Sequence, residues 1–158
     1  MPSSAIDTPA ASRPLGCSHF KLRQLQRRVG QLYDQALAGV GLKTTQYSLL
    51  SHVLRLGPVR PGALAKAMTM DASTLTRNLK PLVTAGWLSV HAGADGRSRL
   101  VAITEAGREK RRQAQPHWRA AQESLNRRLG TPRVLALHAL VDDSLALLAD
   151  APTGDPDA

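Results

Sequence analysis

The stretch from Met70 to Trp87, MDASTLTRNLKPLVTAGW, carries polar side chains that are suited to contacting a polyanion. Read as a helix, it places six of them opposite an apolar side: Ser73, Thr74, Thr76, Arg77, Asn78 and Lys80. Small hydroxyl residues near a helix start let the backbone approach DNA and bond to phosphates or base edges. Arg77 can reach both acceptors of guanine, and Lys80 suits a phosphate. The same pattern also describes an ordinary solvated helix face.

A second basic segment, ADGRSRLVAIT, follows directly. Alternating residues on both sides of a glycine-containing loop predict a β-hairpin with strands at 87–91 and 99–103. Arg97 lies at the tip, where an arginine can enter a minor groove. We expect Asp95 to brace Arg97 or Arg99 through a charge-assisted bond, so all three join the candidate DNA contacts. The alternative is a turn that only makes the surface more soluble.

The charge distribution favours a localised binding surface. The chain has 21 basic and 12 acidic residues, a formal net charge of +9, and all of the basic residues lie at or before Arg133. Such a balance indicates a polyanionic partner, either nucleic acid or an anionic membrane surface. No apolar run is long enough to span a bilayer, and the first 16 residues lack the blocks of a secretory signal. We therefore predict a cytoplasmic protein that binds nucleic acid rather than a membrane.

Other kinds of chemistry find little support in the residues. The single cysteine, Cys17, excludes an intrachain disulfide and a cysteine-rich zinc site. The five histidines form no pair at helical spacing, so we expect no metal site. Neither a G-x-S-x-G motif nor a phosphate-binding loop is present, so we predict no enzymatic activity and no cofactor. Cys17 remains a candidate redox sensor, and an inert thiol at a helix start is the alternative.

The predicted elements are four helices, a hairpin and two further helices. An apolar stripe at spacings of three and four marks the first helix: Leu22, Leu25, Val29, Leu32 and Ala36. Asp71 is a good N-cap for the fourth helix, Gly86 closes that helix, and Pro81 predicts a kink within it. Its inner side is expected to hold Leu75, Leu79, Leu82 and Val83.

This order predicts a mainly α fold with a small β-hairpin, namely a winged helix-turn-helix with flanking dimerisation helices. The winged part covers about residues 44–104. The flanking helices, at about 17–40 and 105–150, carry more apolar surface than one small core needs, so we expect a homodimer. Residues 1–16 are predicted to be a flexible arm, and residues 151–158 a flexible acidic tail.

Three segments of the chain resemble the MarR family of transcriptional regulators. They are GLKTTQYSLL, ALAKAMTMDASTLTRNLKPLVTAGWL and DGRSRLVAITEAG, and the resemblance extends over about residues 17–150. It implies a homodimer that binds inverted-repeat operators, usually as a repressor, and is often released by a small phenolic or carboxylate ligand or by oxidation. It places Ser73, Thr74, Thr76 and Arg77 on the recognition helix, and Asp95 and Arg97 on the wing.

These observations predict a DNA-binding repressor that a small aromatic or carboxylate effector releases. The candidate effector-binding residues are Arg23, Tyr47 and His52. One alternative is a redox-sensing regulator that uses Cys17. Another, from a different class, is an architectural protein that binds DNA without sequence preference.

Overall fold

The structure, a computed structural model, describes residues 15–149 and confirms the predicted order of elements. The helices are α1 (Ser18–Leu37), α2 (Thr44–Leu56), α3 (Pro61–Ala67), α4 (Ala72–Thr84), α5 (Glu105–Leu129) and α6 (Thr131–Ala149). The strands are β1 (Leu88–Ala92) and β2 (Arg99–Ile103), and a short 3-10 turn, Ala38–Val40, follows α1. Most of the predicted arm and the whole of the predicted tail lie outside the described residues.

The apolar core of the winged helix-turn-helix is contributed mainly by α2, α3, α4 and the hairpin, and it continues to Leu37 of α1 and Ala114 of α5. The fully buried side chains of this core include Leu49, Leu50, Val53, Leu64, Leu75, Leu82, Leu88 and Val101. Of the four residues expected on the inner side of α4, Leu75, Leu79 and Leu82 are buried. The prediction for Val83 was wrong, because its side chain is 37% exposed.

Helix α4 has a defined start and a defined end. The Asp71 carboxylate accepts the backbone N–H of Thr74 and confirms the predicted N-cap. At the other end Gly86 has φ +73°, and the N–H groups of Gly86 and Trp87 donate to the carbonyls of Val83 and Leu82. This is a Schellman motif, which a residue with positive φ makes possible. The helix continues through Pro81, and the predicted kink there remains a prediction.

The hairpin pairs antiparallel, with Leu88 opposite Ile103 and Ala92 opposite Arg99. Its first strand begins one residue later than predicted, at Leu88. Val59 adds a bridge that the sequence did not indicate, since it exchanges two backbone hydrogen bonds with Val101, at 2.9 and 2.8 Å. The segment that leads into α3 is thereby fixed to the second strand.

Helix α5 connects the winged lobe to the remaining helices. Thr104 caps its start by accepting the N–H of Gly107, as predicted. Farther along, the Trp118 ring lies 6.3 Å from the ring of Tyr33 on α1 and stacks on that of Tyr47 on α2 at 5.9 Å. Trp118 therefore packs α1, α2 and α5 together.

Helices α1 and α6 expose much of their apolar surface. In the apolar stripe of α1, Leu22 is 60% exposed and Leu25 is 38% exposed. On α6, Val134 is buried, whereas the exposed side chains include Leu135, Leu140, Val141, Leu145, Leu147 and Leu148. Leu22, Leu25, Val29, Leu137 and Val141 line a groove of about 450 Å³ between the two helices.

No helix within residues 15–149 is long and apolar enough to cross a membrane.

Candidate nucleic-acid interface

The exposed face of α4 holds four of the six polar residues that the sequence analysis singled out. Ser73, Thr76, Arg77 and Lys80 are exposed. Their spacing of three, one and three residues puts them on one side of the helix. Thr74 and Asn78 are half-buried instead, and the Asn78 amide donates to the sulfur of Met70 at 3.9 Å. The outward face is therefore narrower than the sequence predicted.

The start of this face is organised around Asp71. Its carboxylate accepts hydrogen bonds from the hydroxyls of Ser73 (2.6 Å) and Thr74 (2.7 Å), in addition to the Thr74 N–H. The side-chain bond from Ser73 and the bonds from Thr74 hold the pKa of Asp71 far below its ordinary range. The Arg77 guanidinium reaches the Thr74 hydroxyl at 3.4 Å. The first turn is therefore ordered without any ligand.

The loop of the hairpin is organised around a second aspartate, Asp95. One of its carboxylate oxygens accepts the N–H of Arg97 (3.1 Å) and both the N–H (2.8 Å) and the hydroxyl (2.6 Å) of Ser98. These bonds, that of the Ser98 hydroxyl foremost, lower the pKa of Asp95 to about 2. The other carboxylate oxygen lies 3.7 Å from the guanidinium of Arg60.

This arrangement corrects the predicted brace. Asp95 holds the loop backbone, Ser98 and Arg60, rather than the side chains of Arg97 or Arg99. Both of those arginines are exposed, at the loop and at the start of β2. Arg60 was not predicted, because it lies 35 residues before Asp95 and the adjacent Val59–Val101 bridge was not predicted either.

A large cavity, of about 720 Å³, lies where α1, α2, α5 and α6 meet. Of the three predicted effector-binding residues, Tyr47 and His52 line this cavity. Arg23 does not belong to its lining and is exposed on α1. The aromatic part of the wall also includes Tyr33 and Trp118, and burial raises the pKa of the Tyr33 hydroxyl.

Arg111 on α5 supplies a guanidinium to this cavity. It donates to the Ser51 hydroxyl at 3.3 Å and to the Gln115 side chain at 3.1 Å, and it lies 5.7 Å from the centre of the Tyr47 ring. The sequence analysis missed this residue. The available signal was its position seven residues before Trp118, which puts both side chains on the same face of α5.

Cys17 is exposed and occupies the N-cap position of α1. Among the residues from 15 to 149, no group of three histidine, cysteine, aspartate or glutamate side chains is arranged to hold a metal ion. The role of Cys17 as a redox sensor remains a prediction.

Comparison with known proteins identifies the family. Residues 40–98 match the model of the MarR family. The chain is 34% identical to the Mycobacterium tuberculosis transcriptional regulator MosR in a crystal structure with DNA, over 84% of this chain and 98% of MosR, with a TM-score of 0.72. This chain belongs to the MarR family of transcriptional regulators.

Two further comparisons give a related regulator and a shared fold. This chain is 28% identical to an uncharacterized HTH-type transcriptional regulator, YwoH of Bacillus subtilis. The match spans 90 residues, which are 57% of this chain and 66% of YwoH. A crystal structure of a mutant MarR from Escherichia coli, complexed with operator DNA, shares the fold with a TM-score of 0.74. It is 22% identical over 80% of this chain and 92% of that one.

Proposed function

We propose that this chain is a homodimeric repressor that binds a pseudo-palindromic operator in double-stranded DNA. The observation that carries the proposal is the exposed stripe of Ser73, Thr76, Arg77 and Lys80 on α4, followed by a hairpin with exposed arginines. Helix α4 enters the major groove and the hairpin, as the wing, reaches the adjacent minor groove. The DNA complex of MosR supports this assignment, because that relative spans the same domain.

The two elements have different roles in this proposal. Arg77 contacts guanine and carries sequence information, while Lys80 and the hydroxyls of α4 contact phosphates and fix the register. Arg97 responds to the width and potential of the minor groove more than to base identity. Thr74 and Asn78 contribute by ordering the helix start rather than by reaching DNA, since both are half-buried.

The proposed dimer rests on the apolar surface of α1 and α6. Helix α6 has exposed leucines around its circumference, and a helix that is apolar on all sides is normally buried. A second copy covers this surface and relates the two α4 helices by a dyad. The recognition helices then meet successive major grooves about 34 Å apart. In this organisation residues 44–104 bind DNA, and the flanking helices, at about 17–40 and 105–150, form the dimer. The protein acts in the cytoplasm.

Binding-site selection on three variants tests the DNA-binding proposal. Arg77→Ala should weaken operator binding by about 1–3 kcal/mol and remove the preference at one base pair in each half-site. Arg97→Ala should weaken binding while leaving the preferences in the major groove intact, and its effect should depend on flanking A·T content. Arg119→Ala, at an exposed position on α5, is the matched control and should leave binding unchanged.

Two outcomes would contradict the proposal. If Arg97→Ala removes a core base preference that Arg77→Ala leaves in place, the assignment of the two elements is wrong. If random DNA binds within about a thousandfold of the selected site, the protein is the architectural alternative rather than a regulator. Unchanged operator affinity in reduced protein and after mild peroxide treatment argues against the redox alternative based on Cys17.

The cavity favours a second part of the function, which is release from DNA by a small aromatic carboxylate. Its aromatic wall of Tyr33, Tyr47 and Trp118 suits a ring, and the guanidinium of Arg111 suits a carboxylate. Such an effector releases DNA only if it binds the two conformations of the dimer with different affinities.

Calorimetry with benzoate and its hydroxylated derivatives tests effector binding, together with DNA titrations at saturating acid. The wild type should bind at least one acid and lose operator affinity, whereas Arg111→Gln should bind it about tenfold more weakly. Arg23→Gln is the control and should behave as the wild type does. Binding without any change in operator affinity would refute the effector proposal.

A further inference from the structure

We infer that Arg60 and Asp95 are positioning residues that hold the wing in its DNA-binding conformation, and that Asp95 does not itself contact DNA. The inference rests on the proposed function, since it concerns how the wing is presented to DNA. It also assigns a role to Arg60, a residue that neither α4 nor the wing includes.

The first support is the internal structure of the wing loop. The Asp95 carboxylate accepts three hydrogen bonds from Arg97 and Ser98. Next to these bonds, the Gly93 N–H donates to the Ser98 carbonyl at 2.7 Å, which joins the two ends of the loop. A methyl group at Gly93 would overlap the Ser98 hydroxyl, so the loop admits only glycine there without rearrangement. The carboxylate is thus occupied within the loop.

The second support is the connection between the wing and the helix-turn-helix. Val59 is paired with Val101 in the centre of β2, which fixes the backbone immediately before Arg60. The Arg60 carbonyl accepts the first intrahelical bond of α3, from Leu64, at 3.0 Å. Its guanidinium then reaches back over the wing to Asp95, at 3.7 Å. One side chain therefore bridges the start of α3 and the wing loop.

The charge of Asp95 supports the same conclusion. A carboxylate at a DNA-facing tip repels phosphates unless a cation neutralises it. Arg60 provides that cation, and its own side chain stays 68% exposed while that of Asp95 is 50% exposed. The ordered loop leaves Arg97 as the projecting group. Ordering the loop before binding lowers the conformational entropy that DNA binding must otherwise remove.

A double-mutant cycle tests the inference, using Arg60→Gln, Asp95→Asn and the double variant. Asparagine keeps an oxygen that can accept from Arg97 and Ser98 but removes the charge, so it isolates the ion pair from the loop bonds. Asp95→Ala removes both, and Arg119→Gln is the charge-matched control. Operator affinity is measured at several salt concentrations, and NMR relaxation reports the order of the Arg97 and Ser98 amides in the free protein.

Each single variant of the ion pair should weaken binding about twofold to fivefold, as expected for an exposed pair, and the double variant should be no weaker than either. Asp95→Ala should weaken binding about tenfold and disorder the two amides, because it also removes the loop bonds. The dependence on flanking A·T content, which Arg97 confers, should shrink in Asp95→Ala and persist in Arg119→Gln.

Three results would overturn the inference. Multiplicative effects of Arg60→Gln and Asp95→Asn would show that the two residues act separately. A salt slope reduced by about 0.9 in Arg60→Gln would show that Arg60 contacts a phosphate instead. Tighter binding by Asp95→Asn would show that Asp95 acts only by repelling DNA. If the wild type binds no operator, the proposed function fails, but ordered Arg97 and Ser98 amides that Asp95→Ala disorders still support the positioning role.

Discussion

Leucine side chains are mostly buried in the winged lobe, which comprises α2, α3, α4 and the hairpin. On the face formed by α1 and α6 they are mostly exposed. In the winged lobe, Leu50, Leu64 and Leu82 have no exposed surface. On α6, Leu140 is 67% exposed and Leu147 is 77% exposed. Burial of leucine is worth about 1.5–3 kcal/mol per side chain, so the lobe gains this contribution within one chain and α6 does not. This difference supports the proposed dimer, in which a second copy covers α6.

The cause is the arrangement of neighbours around each element. Helices α2, α3 and α4 and the hairpin surround a common interior, so each needs only one apolar side. Helix α6 packs against α5, and most of its described side chains are exposed. The following variants test whether the two regions differ as described.

The largest effect on stability should come from the lobe. Leu82→Ala should lower the free energy of unfolding by about 2–5 kcal/mol, because it leaves a cavity among packed side chains. Urea unfolding measures the change. Val83→Ala, at the neighbouring residue, is the matched control and should cost about 0.5–1 kcal/mol, since that side chain is 37% exposed. Equal costs for the two variants would mean that the lobe is not packed as described.

The next effect concerns association. Val141→Asp puts a charge into the groove between α1 and α6, so the protein should sediment near 17.0 kDa instead of about twice that mass. Its circular dichroism should stay close to that of the wild type, because the lobe does not depend on α6. Val141→Ile keeps the surface apolar and should remain dimeric. A dimer that persists in Val141→Asp would place the interface elsewhere.

A smaller effect is expected at the junction of the two regions. Thr104→Ala removes the hydroxyl that accepts from Gly107 and donates to the Gly86 carbonyl at 2.6 Å. Loss of such a cap costs about 1 kcal/mol, measured by thermal unfolding. Thr104→Ser retains the hydroxyl and should recover most of the loss. If serine is no better than alanine, the hydroxyl is not what stabilises the start of α5.

The smallest effect should appear in acid. The pKa values of Asp71 and Asp95 are lowered in the folded protein, so each contributes stability above its unfolded pKa of about 3.9 that is lost as pH falls through its folded pKa. Stability should therefore decline as pH falls below about 4, through about pH 2 for Asp95 and to lower pH for Asp71. Asp71→Asn keeps the N-cap but should flatten part of this decline. An unchanged acid profile in Asp71→Asn would show that the Asp71 bonds do not persist in solution.

The local features of the fold were predictable because their signals lie close together in the sequence. The cap bonds of Asp71, Gly86 and Thr104 each join groups three residues apart, and they confirm the predicted cap positions. The apolar stripe of α1 was also predictable, but periodicity identifies an apolar side and not what covers it. Within the single chain Leu22 is 60% exposed.

The rest of the candidate sites depended on contacts between distant residues. Arg111 reaches Ser51 across 60 positions of the chain, and Arg60 reaches Asp95 next to the bridge that pairs Val59 with β2. The prediction that Arg23 edges the cavity failed for the same reason, since its place on α1 does not reveal which side faces α2. Asp95 was predicted to brace the side chain of Arg97 or Arg99, but it accepts bonds from the Arg97 N–H and from Ser98 instead. Its contact with Arg60 could not be predicted from neighbouring positions.

The close contact where α5 begins has a mechanical consequence. A methyl group at Gly107 would overlap the Trp87 carbonyl oxygen, and Thr104 is bonded to the Gly86 and Trp87 carbonyls. These contacts join three segments into one rigid unit: the end of α4, the start of the hairpin and the start of α5. Helix α5 has 25 residues and is about 37 Å long. It thus acts as a lever in the proposed dimer, where a tilt of about 5° at its far end displaces the wing by roughly 3 Å.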